Sequence, residues 1–114
     1  MKNLISLLLM FCSISNIAFA SCVEDEWTKV KSGYVAAASK EVLDKVSQIA
    51  TSGDNEAFKK LELEGLLTGT IKMTDEGMEV YIVKIHPWAE RAEVRFRGDT
   101  DIWWIQLGAL ECNK

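Results

Sequence analysis

The hydrophobic pattern changes period near residue 65, and this change constrains the fold more than any other feature of the chain. Before it, Val42, Leu43, Val46, Ile49 and Ala50 fall at i, i+1, i+4, i+7 and i+8, which is one face of a helix. Lys40, Glu41, Asp44, Lys45 and Gln48 fill the other face. Ser39 is placed to cap this helix and Gly53 to stop it. Asp54 then caps a second, shorter helix with Phe58 and Leu61 facing inward and Gly65 as its end. The spacing therefore predicts a helical hairpin joined by residues 51–54. Residues 23–31 predict a further helical turn with Trp27 and Val30 packed inward, and residues 33–38 carry no clear pattern.

After Leu66 the period becomes two. Residues 67–73 read as a short strand, Thr74-Asp75-Glu76-Gly77 as a turn, and residues 78–85 as a strand rich in β-branched side chains. His86-Pro87-Trp88-Ala89-Glu90 interrupts the pattern. In the next segment Ala92, Val94 and Phe96 alternate with Arg91, Glu93, Arg95 and Arg97, one set to each face. Gly98-Asp99-Thr100-Asp101 makes another turn, residues 102–106 an aromatic strand, and residues 107–110 a single helical turn. Short strands joined by short turns predict a small antiparallel barrel. The expected class is thus α+β, a helical hairpin (within residues 21–65) leading into a barrel (66–114), with 21–114 as one compact domain.

The first twenty residues stand apart from this scheme. Lys2 gives a positive start, Leu4 to Phe11 an apolar core, and Ala18-Phe19-Ala20 the small residues that signal peptidase reads. The apolar run is far shorter than the roughly 20 residues a spanning helix needs. The expectation is a signal peptide over residues 1–20 and a periplasmic or secreted protein with no membrane span. Cleavage removes Cys12 and leaves Cys22 and Cys112, an even pair in an oxidising compartment, which predicts a disulfide. A loop that long carries about 4–5 kcal/mol of chain entropy before strain is subtracted. A second reading stays open, because Phe19-Ala20-Ser21-Cys22 resembles a lipobox in which Cys22 carries a lipid anchor.

The whole chain has 13 basic and 17 acidic side chains, a formal charge of −4. An acidic balance argues against nucleic acid as a partner, since phosphate binding needs a clustered positive field. At 48% hydrophobic and 26% charged residues, composition excludes a disordered or collagen-like chain.

The run from Glu76 to Glu111 carries a resemblance. Gly77 and Val80, then Val94 and Arg95, then Gly98 with Trp103 or Trp104, and finally Leu110 occupy the places of a G-x-x-V strand, a V-R-V-like strand, a G-x-x-x-x-W strand and a closing turn ending in Leu. This pattern resembles bacterial SH3-like domains. Over residues 36–111 the chain is similar to small exported bacterial proteins that place a helical hairpin before such a barrel. SH3-like barrels use surface aromatics to hold extended peptides or glycan strands. The resemblance therefore makes Tyr81, Trp88 and the outward member of the pair Trp103 and Trp104 the candidate binding residues. Neighbours in a strand point to opposite faces, so one of the two tryptophans fills the core.

Catalytic groupings are sparse. His86, the only histidine, precedes Pro87 and has no partner motif. Asp99 and Asp101 flank Thr100 as turn formers, without the glycine and distal glutamate of a calcium loop. Glu62 and Glu64, and Glu24 to Glu26, read as solvated carboxylates, and the mixed-sign stripe of Arg91, Glu93, Arg95 and Arg97 as the wet face of a strand. No nucleophile elbow or phosphate loop occurs. The expected function is a non-enzymatic binding module of the cell envelope, without cofactor or metal, whose partner is an envelope protein or a peptidoglycan component. The alternative is a secreted inhibitor of a hydrolase such as a lysozyme or protease, steered by its acidic surface.

Overall fold

A computed structural model describes residues 22–112. The signal-peptide reading and Cys12 lie outside them. The fold is α+β, with a six-stranded antiparallel sheet and two helices. The strands are β1 (Trp27–Lys29), β2 (Val35–Ala37), β3 (Ile71–Met73), β4 (Glu79–His86), β5 (Arg91–Phe96) and β6 (Trp103–Gln106), and the helices are α1 (Lys40–Ser52) and α2 (Asn55–Thr68). Strand order is β1-β4-β5-β6-β2-β3, and the expected barrel is corrected to a sheet that does not close. The helical pair was expected ahead of all strands. Instead β1 and β2 precede it, and β2-α1-α2-β3 forms one insert between β1 and β4.

Both helices follow local chemistry. The Ser39 hydroxyl accepts from the Val42 N–H, and Gly53 ends α1 in the left-handed region. Leu43 and Val46 are the buried face of α1. The Asp54 carboxylate accepts from the Ala57 N–H at the start of α2. The expected stop at Gly65 is corrected: α2 runs on to Thr68, and Gly69 ends it at φ 77°, a conformation that only glycine adopts at no steric cost. Gly65 is interior because a side chain there would strike Ile71 of β3. The backbone of α2 thus approaches the sheet where residues 67–70 were expected to be strand.

The segment expected as a helical turn is also corrected. Trp27, Thr28 and Lys29 pair with Tyr81, Val80 and Glu79 of β4. Strand geometry sends Val30 fully inside but leaves Trp27 outside, 42% exposed. The unplaced stretch 33–38 contains β2, whose Ala36 and Ala37 are buried.

The core lies on one face of the long strands. Val80, Ile82, Ala92, Val94, Phe96, Trp103 and Ile105 pack with Val30, Ala36, Ala109 and Leu110. The alternation expected for β5 is present, with Ala92, Val94 and Phe96 buried. A register shift between Ile82 and Lys84 sets Val83 outside the ladder as a bulge. After β6 a 3-10 turn (Leu107–Ala109) delivers Leu110 to an antiparallel bridge with Val30. The Glu111 N–H donates to the Lys29 carbonyl and the Lys31 N–H to the Ala109 carbonyl. Beside this seam Cys22 and Cys112 form a disulfide with Cα atoms 5.0 Å apart. The expected pairing is present, and it fits an oxidising compartment.

The base of the insert is held by one residue. Thr74, buried, accepts from the Tyr34 N–H at 2.9 Å and donates to the Lys31 carbonyl at 2.8 Å. Backbone bonds from Gly33 to the Thr74 carbonyl and from Gly77 to the Val30 carbonyl complete the neck.

Candidate functional site

The insert leans on the sheet and leaves a cleft between them. A cavity of about 580 Å³ is lined by Tyr34, Ser47, Glu90, Arg91, Gln106, Leu107 and Gly108. Its elements are fixed to one another. The Arg91 guanidinium donates to the Asp44 carboxylate of α1, and the Gln106 amide reaches the Ser47 hydroxyl at 3.4 Å. Across the cleft, the Leu107 N–H donates to the Glu90 carbonyl at 2.9 Å, so the two 3-10 turns (Pro87–Ala89 and Leu107–Ala109) are joined.

Pro87 at the first position of this turn and the left-handed Glu90 (φ 55°) after it explain how β4 reverses here. Gly108 forms part of the wall under Tyr34: an added Cβ would lie 3.9 Å from the Tyr34 hydroxyl, ordinary van der Waals contact.

A smaller cavity of about 170 Å³ continues the cleft, sharing Tyr34, Ser47 and Gln106 and adding Leu43, Val46 and Phe58. The combined groove is polar at one end and apolar at the other. Arg91 is neutralised by Asp44, which leaves the exposed Glu90 as the uncompensated charge of the lining.

The aromatic candidates separate into distinct places. Trp88 is 100% exposed on the Pro87–Ala89 turn, one residue from the cleft-lining Ala89. Trp103 is the core member of the tryptophan pair, 8% exposed, with its indole N–H donating to Asp99 and its ring edge-on to Phe96. Trp104 is the outward one, half-buried and stacked on the imidazole of His86 with centroids 4.9 Å apart. His86 Nε2 lies 2.8 Å from a Glu93 oxygen, which gives the histidine a carboxylate neighbour. That pair is not among the groups lining the cleft.

Tyr81 belongs to a third place. Its ring meets Trp27 edge-on at 5.5 Å, Arg95 lies over it, and Arg97 lies over Trp27 at 4.0 Å. The Tyr81 hydroxyl donates to Asp25, a bond to the neutral phenol that pushes its pKa upward. Tyr81 pairs with Arg95, four residues along β5 from the cleft residue Arg91, or about 13 Å.

Tyr34, Ser47, Gln106 and Gly108 did not stand out in the sequence. Tyr34 carried the one available signal, an aromatic in an otherwise patternless segment between Gly33 and the run Ala36 to Ala38. Among the described residues, no group of three or more His, Cys, Asp or Glu side chains is placed to hold a metal, and no helix is long and apolar enough to cross a membrane. Comparison with protein-family models, curated proteins and solved structures yields no match to this chain.

Proposed function

We propose that this chain is a non-enzymatic, exported binding module of the cell envelope. In this reading it is an SH3-like barrel enlarged by an inserted strand–helix–helix–strand unit, and it takes an extended protein segment or a peptidoglycan strand in the groove beneath Trp88. The order β1, β4, β5, β6, 3-10 turn and closing bridge at Leu110 supports the SH3-like reading. The disulfide supports export.

The observation that carries the function is the groove one of whose lining residues, Ala89, directly follows a fully exposed tryptophan. A large aromatic left fully in water beside a cavity-lining residue exposes apolar surface that a ligand would cover. The groove's polar end suits backbone amides or sugar hydroxyls, and its apolar end a side chain or a ring face. His86 and Glu93 adjoin the cleft through Arg91 but do not line it, which favours binding over catalysis.

Two arms test the reading. Isolated peptidoglycan is sedimented with the protein, and envelope proteins are captured on it, using wild type, Trp88→Ala and the Tyr81/Trp88/Trp104 triple alanine variant. Loss of one ligand with Trp88→Ala supports the groove and names the ligand class. Retention of every ligand by the triple variant removes the site.

A further inference from the structure

Helix α2 carries an apolar surface that its own fold does not use. Leu63, Leu66 and Leu67 are 59%, 46% and 79% exposed, and Gly65 is the one residue of the helix that is buried. Scattered exposed leucines are ordinary, but three on adjacent turns of one face form a patch.

The charges around the patch identify its occupant. Lys59 and Lys60 lie before the leucines, and Glu62 and Glu64 lie among them. Lys60 and Glu64 share one flank, since both line the shallow groove beside Lys45 and Ile49 of α1. A twofold axis through Leu63 that sets two α2 helices antiparallel brings like flanks together. With a rise of about 1.5 Å per residue, Lys60 then lies within about 3 Å, along the axis, of Glu64 from a second copy, twice by symmetry. Leu66 and Leu67 fall over the aliphatic stems of Lys59 and Lys60 of that copy. A parallel pair would instead oppose lysine to lysine. An anionic bilayer would suit the lysines but not the glutamates beside the leucines.

We infer that α2 is a self-association surface and that its partner is a second copy of this chain, packed antiparallel about Leu63. One helix face is smaller than the roughly 800 Å² per partner of a standard interface, so the dimer is weak and concentration-dependent. The surface is separate from the groove and does not depend on the function proposed for it.

Sedimentation velocity over a wide concentration range, paired with Leu63→Cys crosslinking, tests this. The wild type is expected to shift from monomer toward dimer mass, and Leu63→Gln/Leu67→Gln to stay monomeric with an unchanged circular dichroism spectrum. Leu63→Cys, at the axis, is expected to give a disulfide-linked dimer under mild oxidation where Lys31→Cys, exposed elsewhere, does not. A wild type that remains monomeric, a dimer indifferent to the double substitution, or equal crosslinking by both cysteine variants overturns the proposal.

Discussion

The hydroxyl of Thr74 holds the backbone N–H of Tyr34 across 40 residues of chain, at 2.9 Å. This bond ties the neck of the insert to a residue that lines the groove. Thr74→Val keeps the shape but removes the acceptor for Tyr34 and the donor to Lys31. A buried polar group left without its partner costs about 1–3 kcal/mol. Urea unfolding is expected to show a loss of that size, with Thr74→Ser close to wild type. Ligand capture is expected to weaken in the valine variant as Tyr34 loosens.

Gly65 and Ile71 give a second case. Alanine is the better helix former by about 1 kcal/mol, so a helix judged alone would gain from Gly65→Ala. Here the new methyl would lie 2.6 Å from the Ile71 Cβ. Overpacking of this kind costs about 1–3 kcal/mol. A net loss of stability is expected from thermal unfolding, where helix propensity alone predicts a gain.

The disulfide joins residues separated by 90 positions, just outside β1 and just after the bridge at Leu110. Removing it by Cys22→Ser/Cys112→Ser is expected to cost about 2–5 kcal/mol in denaturant unfolding. Amides of residues 29–31 and 109–111 should then be the first to lose hydrogen-exchange protection, because the bridge anchors that seam.

Asp99 gives the fold an acid sensitivity. The Asp101 N–H donates to its carboxylate at 3.0 Å and the Trp103 indole N–H at 3.1 Å. These bonds, the first above all, hold the Asp99 pKa below its usual value. A depressed folded pKa means that the stabilisation is complete above the unfolded value of about 3.9 and is lost as pH falls through the folded one. Asp99→Asn keeps an acceptor for Asp101 but has no proton to take up. Melting temperatures followed from about pH 5 to pH 2 are expected to fall less steeply for the variant than for wild type.

Much of the sheet after residue 66 was legible because its signals are local. Ala92, Val94 and Phe96 alternate within one strand, whereas both parities of residues 102–106 carry apolar side chains and left open which tryptophan is buried. Ser39 and Gly53 bounded α1 correctly by capping chemistry alone. The failures share a cause. Trp27 to Lys29 is too short to show a period, and its strand state comes from pairing with Glu79 to Tyr81 fifty residues on. Gly65 resembled a helix stop, and only the approach of Ile71 explains why it is not one. The groove was illegible for the same reason. Tyr34, Ser47, Arg91, and Gln106 with Gly108 come from four places in the chain and meet through the Thr74 neck and the Arg91–Asp44 pair. Trp88, visible as an aromatic after a turn-forming proline, is fully exposed next to the lining residue Ala89.

Gly108 offers the most direct measurement. Its φ is outside the left-handed region and a Cβ there meets no closer atom than the Tyr34 hydroxyl, so a larger side chain enters the groove without backbone strain. The ligand identified by peptidoglycan sedimentation or envelope capture is titrated against wild type and Gly108→Leu, with unfolding curves taken in parallel. The expected result is unchanged stability and binding reduced at least tenfold, about 1.4 kcal/mol. Full binding by a stably folded Gly108→Leu protein would contradict the groove as the binding site.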